Sequence, residues 1–61
     1  MRNRNEIIEA IIAQVEWSLT IGKVELIDKK YVEETAEEIL SEEEFAFALE
    51  TNAIRDALWC I

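Results

Sequence analysis

The chain has 61 residues, which is enough for one small domain. It contains one cysteine, one glycine, no proline and no histidine. These counts exclude an internal disulfide, the usual zinc ligand sets, a glycine-rich phosphate loop and a histidine-activated nucleophile. Because 51% of the residues are hydrophobic, the composition is not that of a disordered segment. We therefore expect one folded domain over residues 1–61, with no catalytic residue, no cofactor and no metal site.

Acidic residues outnumber basic ones by 14 to 6, so the formal net charge is −8. A chain this acidic repels nucleic acid and anionic membranes and attracts basic protein surfaces. The main apolar stretch, from Ile7 to Val15, is interrupted by Glu9 and is far shorter than the ~20 residues of a membrane span. With a lone cysteine and no recognisable secretory signal, the sequence predicts a cytoplasmic protein that binds neither nucleic acid nor membrane directly.

The first predicted helix is Glu6–Ile21, with Asn5 as its N-cap and Gly22 as its stop signal. Its apolar arc is unusually wide, and a helix that is apolar on most sides is buried on most sides. The few short helices of so small a chain would not cover this arc. We therefore expect a homo-oligomer, most simply a dimer, whose interface contains Ile8, Ile11, Ile12 and Val15.

Residues 16–28 allow two interpretations. In the first, the helix ends and an extended connector follows it. In the second, a short β-hairpin turns at Gly22-Lys23, because apolar residues alternate with polar ones on both sides of that pair. The connector is favoured because an isolated two-stranded hairpin is only marginally stable.

The second predicted helix is Lys29–Leu40, with Asp28 as its N-cap. Ser41 followed by Glu44 matches a capping box, in which each side chain accepts a hydrogen bond from the other residue's backbone amide. A third helix therefore begins at the next position.

The C-terminal third of the chain, Glu42–Ile61, is predicted to form either one bent helix or two helices. In the second case, Thr51-Asn52 would cap a separate fourth helix. The predicted fold class is therefore all-α, a small bundle of three to four short helices, with the hairpin over residues 16–28 as the alternative for the connector.

The segment between Glu33 and Glu44 contains seven glutamates and no basic residue. Like charges three or four residues apart on a helix cost up to ~0.5 kcal/mol per pair, so a helix selected for stability alone would include lysines. The excess therefore predicts an exposed acidic surface that binds a basic partner, whereas the alternative is an ordinary solvated face. The helical phase directs these carboxylates into water, where they do no acid–base catalysis. The candidate partner-binding residues are Glu33, Glu34, Glu37, Glu38, Glu42, Glu43 and Glu44.

The two tryptophans, Trp17 and Trp59, are further candidate partner-binding residues, because tryptophan is enriched at binding hot spots. The alternative is that they fill the core, and we expect this of at least one of them. Cys60, between two apolar neighbours, is predicted to be a small buried hydrophobe. Arg2 and Arg4 belong to a frayed N-terminus and are available to pair with the acidic face of a neighbouring subunit.

These features favour an inhibitor or regulator that occupies the basic, nucleic-acid-binding surface of a partner protein. In size and charge the chain is similar to the compact acidic proteins with which bacteriophages disarm host defences, although this similarity covers no motif. The alternative is a homo-oligomeric structural module whose acidity only provides solubility. The two interpretations predict opposite responses to salt, because only binding through charges weakens as salt screens them.

Overall fold

A computed structural model describes all residues from 1 to 61, and its regular structure consists of four α-helices joined by short connectors. The helices are α1 (Arg4–Thr20), α2 (Lys29–Ile39), α3 (Glu42–Glu50) and α4 (Ala53–Cys60). The all-α prediction is confirmed, and Glu42–Ile61 forms two helices, which was one of its two predicted forms. The hairpin, which was the less favoured alternative for residues 16–28, does not form, because this segment contains no strand.

Helix α1 begins two residues earlier than predicted. Its N-cap is Asn3, whose side-chain Oδ1 accepts a hydrogen bond from the Glu6 amide at 2.9 Å. The predicted N-cap, Asn5, is wrong, because Asn5 lies inside the first turn of α1. The early start follows from Arg2 and Arg4, which contact other helices and hold the N-terminus in place.

The end of α1 explains why no hairpin forms. Gly22 has a φ of +73°, and its amide donates to the Leu19 carbonyl at 3.1 Å while the Lys23 amide donates to the Ser18 carbonyl at 2.9 Å. This pair of bonds is the Schellman motif, with glycine at the left-handed position. A hairpin turn at Gly22-Lys23 would pair Ile21 with Val24, but the Ile21 amide already donates to the Trp17 carbonyl of α1 at 3.0 Å.

Replacing Gly22 by alanine tests this C-cap. An added Cβ would meet no atom within 4 Å, so only the left-handed conformation itself opposes the substitution. We expect Gly22→Ala to lower the free energy of unfolding by about 1 kcal/mol, and Tm by about 4–8 °C. Gly22→Asn is the matched control, since asparagine tolerates this conformation and should lose less. An unchanged Tm in the alanine variant would contradict the assignment.

The caps of α2 and α3 are as predicted. The Asp28 carboxylate accepts from the Tyr31 amide at 2.8 Å. Both bonds of the capping box are present: the Glu44 amide donates to Ser41 Oγ, and the Ser41 amide donates to Glu44 Oε1, each at 3.2 Å. Helix α4 differs, because its N-cap Asn52 is left-handed with a φ of 59° and its side chain makes no capping bond.

The core is built around α1, which packs against all three other helices. Ten apolar residues are buried together: Ile7, Ile11, Val15, Val32, Ala36, Leu40, Ala48, Ala53, Ile54 and Ala57. Four of them are alanines, whose small side chains allow short helices to approach α1 closely.

This packing corrects the predicted oligomer interface. Ile11 and Val15 are fully buried inside the single chain, and Ile8 and Ile12 are half-buried against the same core. Three short helices surround α1 and bury much of its apolar arc, which we had expected to be too wide for them. A homo-oligomer remains a prediction, but Ile11 and Val15 cannot form its interface without unfolding.

Candidate functional site

The longest run of uncompensated charge lies at the junction of α2 and α3. We call it the acidic strip and define it as Glu34, Glu37 and Glu38 of α2 with Glu42 and Glu43 of α3. All five side chains are exposed, and none forms an ion pair within the chain. The strip therefore retains five of the seven glutamates predicted to bind a partner, each with its carboxylate free.

Glu33 stands at the edge of this strip and is partly compensated. Lys29 Nζ lies 3.7 Å from Glu33 Oε1, one helical turn away on α2. Both side chains are largely exposed, so the pair contributes little to stability. Its effect is to weaken the negative charge at the N-terminal end of α2.

Glu44 does not belong to the exposed surface, which corrects the prediction for this residue. It is only 8% exposed, because its place in the capping box turns it back towards the start of α3, where Arg2 lies over it. Arg2 Nε donates to Oε2 at 2.9 Å and Arg2 Nη2 donates to Oε1 at 3.1 Å. The Arg2 backbone amide also donates to Oε2, at 3.2 Å.

These contacts hold Glu44 ionised. The Arg2 side chain, the Ser41 amide and the Arg2 amide together lower the pKa of Glu44 from its ordinary value of 4.5 to about 2. No pattern in the sequence indicates this pair, because its members are 42 residues apart. The sequence predicts an acidic partner for Arg2 on a neighbouring subunit, whereas the structure places that partner in the same chain.

Arg4 makes an equivalent contact at the junction of α3 and α4. Its Nε and Nη2 donate to the Thr51 carbonyl at 3.2 and 3.0 Å, and Nη2 also pairs with Asp56. The Arg4 side chain thereby lowers the pKa of Asp56. The predicted frayed N-terminus is therefore wrong: Arg2 and Arg4 bind acidic groups of their own chain.

The glutamates of the strip lie in two different electrostatic environments, at the start of one helix and at the end of another. Glu42 and Glu43 occupy the first turn of α3, where the helix dipole favours negative charge. Glu37 and Glu38 occupy the last turn of α2, where the free carbonyls oppose negative charge and no basic residue compensates. Glu42 and Glu43 thus have a structural explanation, whereas Glu37 and Glu38 are placed where carboxylates lower helix stability.

Both tryptophans are exposed, Trp17 by 58% and Trp59 by 82%. The expectation that at least one fills the core is therefore wrong. Cys60 is also exposed, because α4 buries a different face, formed by Ala53, Ile54 and Ala57. Trp17 and Trp59 remain candidate partner-binding residues that the fold leaves accessible.

A groove of about 440 Å³ opens at the surface where α2, α3 and α4 meet. Its apolar side is formed by Leu49 and Trp59, which are 53% and 82% exposed, and by Ile54, which is buried. Lys29, Glu33, Ala48, Asn52 and Arg55 complete the lining. The sequence did not predict this groove, because its walls come from three helices.

The exposed acidic and thiol side chains do not converge on any common point that could hold a metal ion. None of the four helices combines the length and the apolar character needed to span a bilayer. The accessible surface features are the acidic strip, the exposed tryptophans and the groove. The chain matches no protein-family model, and no curated protein or solved structure is significantly similar to it.

Proposed function

We propose that this protein is a non-catalytic inhibitor or regulator whose acidic strip occupies the basic, nucleic-acid-binding surface of a partner protein. The observation that supports this proposal is the position of Glu37 and Glu38. They are exposed, unpaired and at the end of α2 where carboxylates are unfavourable for the helix. Placements that lower stability and are not offset by a contact within the chain tend to occur at functional sites.

The spacing of the carboxylates in the strip is complementary to a partner surface that normally binds a phosphate backbone. Side chains three and four residues apart on a helix are about 5–6 Å apart at Cβ, so Glu34, Glu37 and Glu38 form a close cluster of charge. The strip continues onto α3 through Glu42 and Glu43. An arginine-rich or lysine-rich groove that normally holds a nucleic-acid strand would meet carboxylates in place of phosphates.

A cytoplasmic nuclease, a CRISPR or restriction effector or a transcription factor would be a partner of this kind. The role would then be that of a phage-type anti-defence protein. In this proposal the protein contacts no nucleic acid itself, and the strip competes with nucleic acid for the partner.

Charge reversal within the strip tests the proposal. The variant Glu34→Lys, Glu37→Lys and Glu38→Lys is compared with a control of identical net charge, Glu9→Lys, Glu16→Lys and Glu25→Lys, whose positions are equally exposed. Immobilised wild-type protein captures its partner from the host lysate at low salt. A mobility-shift assay then measures whether each variant displaces labelled duplex from that partner.

We expect wild type and control to displace the duplex, and the strip variant to need at least about tenfold more protein. Wild-type binding should also weaken as salt is raised from about 50 to 300 mM, because the charges are exposed to screening ions. Circular dichroism should show the same helical content in all three proteins. Equal displacement by strip variant and control would contradict the proposal.

The second candidate function is a homo-oligomeric module, which is favoured by exposed apolar side chains at the end of α1. Trp17 and Ile21 are 58% and 52% exposed and lie one turn apart, and Leu26 in the connector is 74% exposed. Self-association through these residues would be nearly indifferent to salt. Sedimentation equilibrium that gives a monomer mass at micromolar concentration would exclude it.

A further inference from the structure

We propose that the groove between α2, α3 and α4 binds the carboxyl terminus of a partner chain that ends in an apolar residue. This surface is separate from the acidic strip, and the proposal does not depend on the proposed function. The groove combines an apolar wall, two cationic side chains and an open shape.

The apolar wall is the first observation. Leu49 and Trp59 are large apolar side chains that remain 53% and 82% exposed on the same groove, above the buried Ile54. Isolated exposed apolar residues are ordinary, but two that line one concavity mark an interaction site. The volume of about 440 Å³ is sufficient for an apolar side chain together with its backbone carboxylate.

The charge of the lining is the second observation. Two cations, Lys29 and Arg55, and one carboxylate, Glu33, line the groove, so it has a net positive charge in a chain whose formal charge is −8. The closest atoms of the Arg55–Asp56 pair are Nε and Oδ1 at 3.5 Å, and the terminal nitrogens of Arg55 make no hydrogen bond within the chain. A guanidinium in this state can hold a carboxylate through two parallel hydrogen bonds.

Asn52 adds hydrogen-bond donors at the same end of the groove. Its side-chain amide makes no capping bond and is exposed beside Arg55 in the lining. A carboxylate bound by Arg55 could therefore also accept a hydrogen bond from the Asn52 side chain. Capture of a chain-terminal carboxylate is a recurring mode of peptide recognition.

The open shape selects a chain terminus over a small free acid. A small ligand is usually enclosed over most of its surface, whereas here Trp59 and Arg55 remain exposed at the edges of the groove. The last residue of a peptide combines an apolar side chain with a carboxylate, and the open side leaves room for the preceding residues. Glu33 opposes this ligand and limits its affinity.

The test uses the full chain, labelled with ¹⁵N, in NMR titrations with three probes. The first is the tripeptide acetyl-Gly-Ala-Leu with a free carboxyl group, and the second is the same peptide as its carboxamide. The third is 4-methylpentanoate, which carries the leucine side chain and a carboxylate without a peptide. We expect the free peptide to shift the amide signals of Leu49, Asn52 and Arg55 and the indole signal of Trp59.

The carboxamide should bind at least about tenfold more weakly, and 4-methylpentanoate several-fold more weakly, than the free peptide. Equal binding of peptide and carboxamide would overturn the carboxylate assignment. Equal binding of 4-methylpentanoate and peptide would assign the groove to small acids instead. Groove signals that move with protein concentration in the absence of any probe would assign it to a second copy of the chain.

Three variants make the test specific to these residues. Arg55→Gln should lower the affinity for the free peptide by about fivefold or more and leave the weak binding of the carboxamide unchanged. Glu33→Gln should raise the affinity for the free peptide by about two- to fivefold, because it removes the opposing carboxylate. Lys23→Gln, which removes an exposed cation outside the groove, is the matched control and should change neither. A control variant that weakens binding as much as Arg55→Gln would contradict the site.

Discussion

Replacing Ile11 by alanine is expected to lower the free energy of unfolding by about 3 kcal/mol. Ile11 is fully buried near the centre of α1, and the shortened side chain would leave a cavity in the core of ten buried residues. A domain of 61 residues has little stability to lose, so the variant should be largely unfolded at moderate temperature. Thermal unfolding followed by circular dichroism measures this loss.

Ile21→Ala is the matched control, because it makes the same substitution at a position that is 52% exposed. A change at such a surface site should stay within about 0.5 kcal/mol. The comparison also tests the original interface prediction. If Ile11→Ala stayed folded and only changed the mass from dimer to monomer, Ile11 would belong to a subunit interface after all.

Removing the Arg2 side chain is expected to lower Tm by about 5–10 °C at neutral pH. In Arg2→Ala, the Glu44 carboxylate keeps the Ser41 amide and the backbone amide of residue 2 but loses both guanidinium bonds. Because Arg2 itself covers Glu44, its truncation would admit water to the carboxylate, and the loss is that of the two charge-assisted hydrogen bonds. Lys30→Ala, at an exposed position, is the control for loss of a cation.

The same pair predicts how stability depends on pH. The folded pKa of Glu44, about 2, lies below its ordinary value of 4.5, so the unfolded chain binds this proton first as pH falls. The contribution of Glu44 is therefore present above about pH 4.5 and is lost between about pH 4.5 and pH 2. Glu44→Gln keeps the shape and the capping bond, and the Tm gap between wild type and this variant should close over that interval. A gap that is constant from pH 7 to pH 2 would contradict the assignment.

The parts of the fold that the sequence predicts are those that short stretches determine. The side chains of Asp28 and Ser41 each accept a hydrogen bond from the backbone amide three residues later. Gly22 ends α1, where its amide and the next one donate to carbonyls of the preceding turn. Each signal and its structural effect lie within about one helical turn. Both ends of α2 and the start of α3 could therefore be predicted to within one residue, whereas the end of α3 was left open between one bent helix and two helices.

The features that could not be predicted depend on contacts between residues far apart in the sequence. Glu44 combines a predictable local role with an unpredictable distant contact. Its capping role follows from Ser41 three positions earlier, whereas its burial depends on Arg2, which is 42 residues away. Residues of a long charged run appear equivalent in the sequence until a fold supplies partners to some of them. The acidic strip consists of the glutamates that have no basic partner, whereas Glu44 pairs with Arg2 and Glu33 pairs with Lys29.

Helix α1 illustrates a different limit. Its arc is apolar on so many sides that the sequence does not indicate which stripe faces the core. The buried stripe includes Ser18, whose Oγ donates to the Gln14 carbonyl at 3.1 Å, while the neighbouring Leu19 stays partly exposed. A serine whose hydroxyl is satisfied within its own helix can be buried at little cost, and pattern alone does not reveal this.

The exposure of both tryptophans determines which optical signals this protein can give. Trp17 and Trp59 already face water in the folded state, so unfolding should barely shift the wavelength of their fluorescence emission. The usual intrinsic probe would then miss the unfolding transition. A shift to shorter wavelength on mixing with another molecule would report that an indole has left water, and would therefore detect binding without a signal from folding.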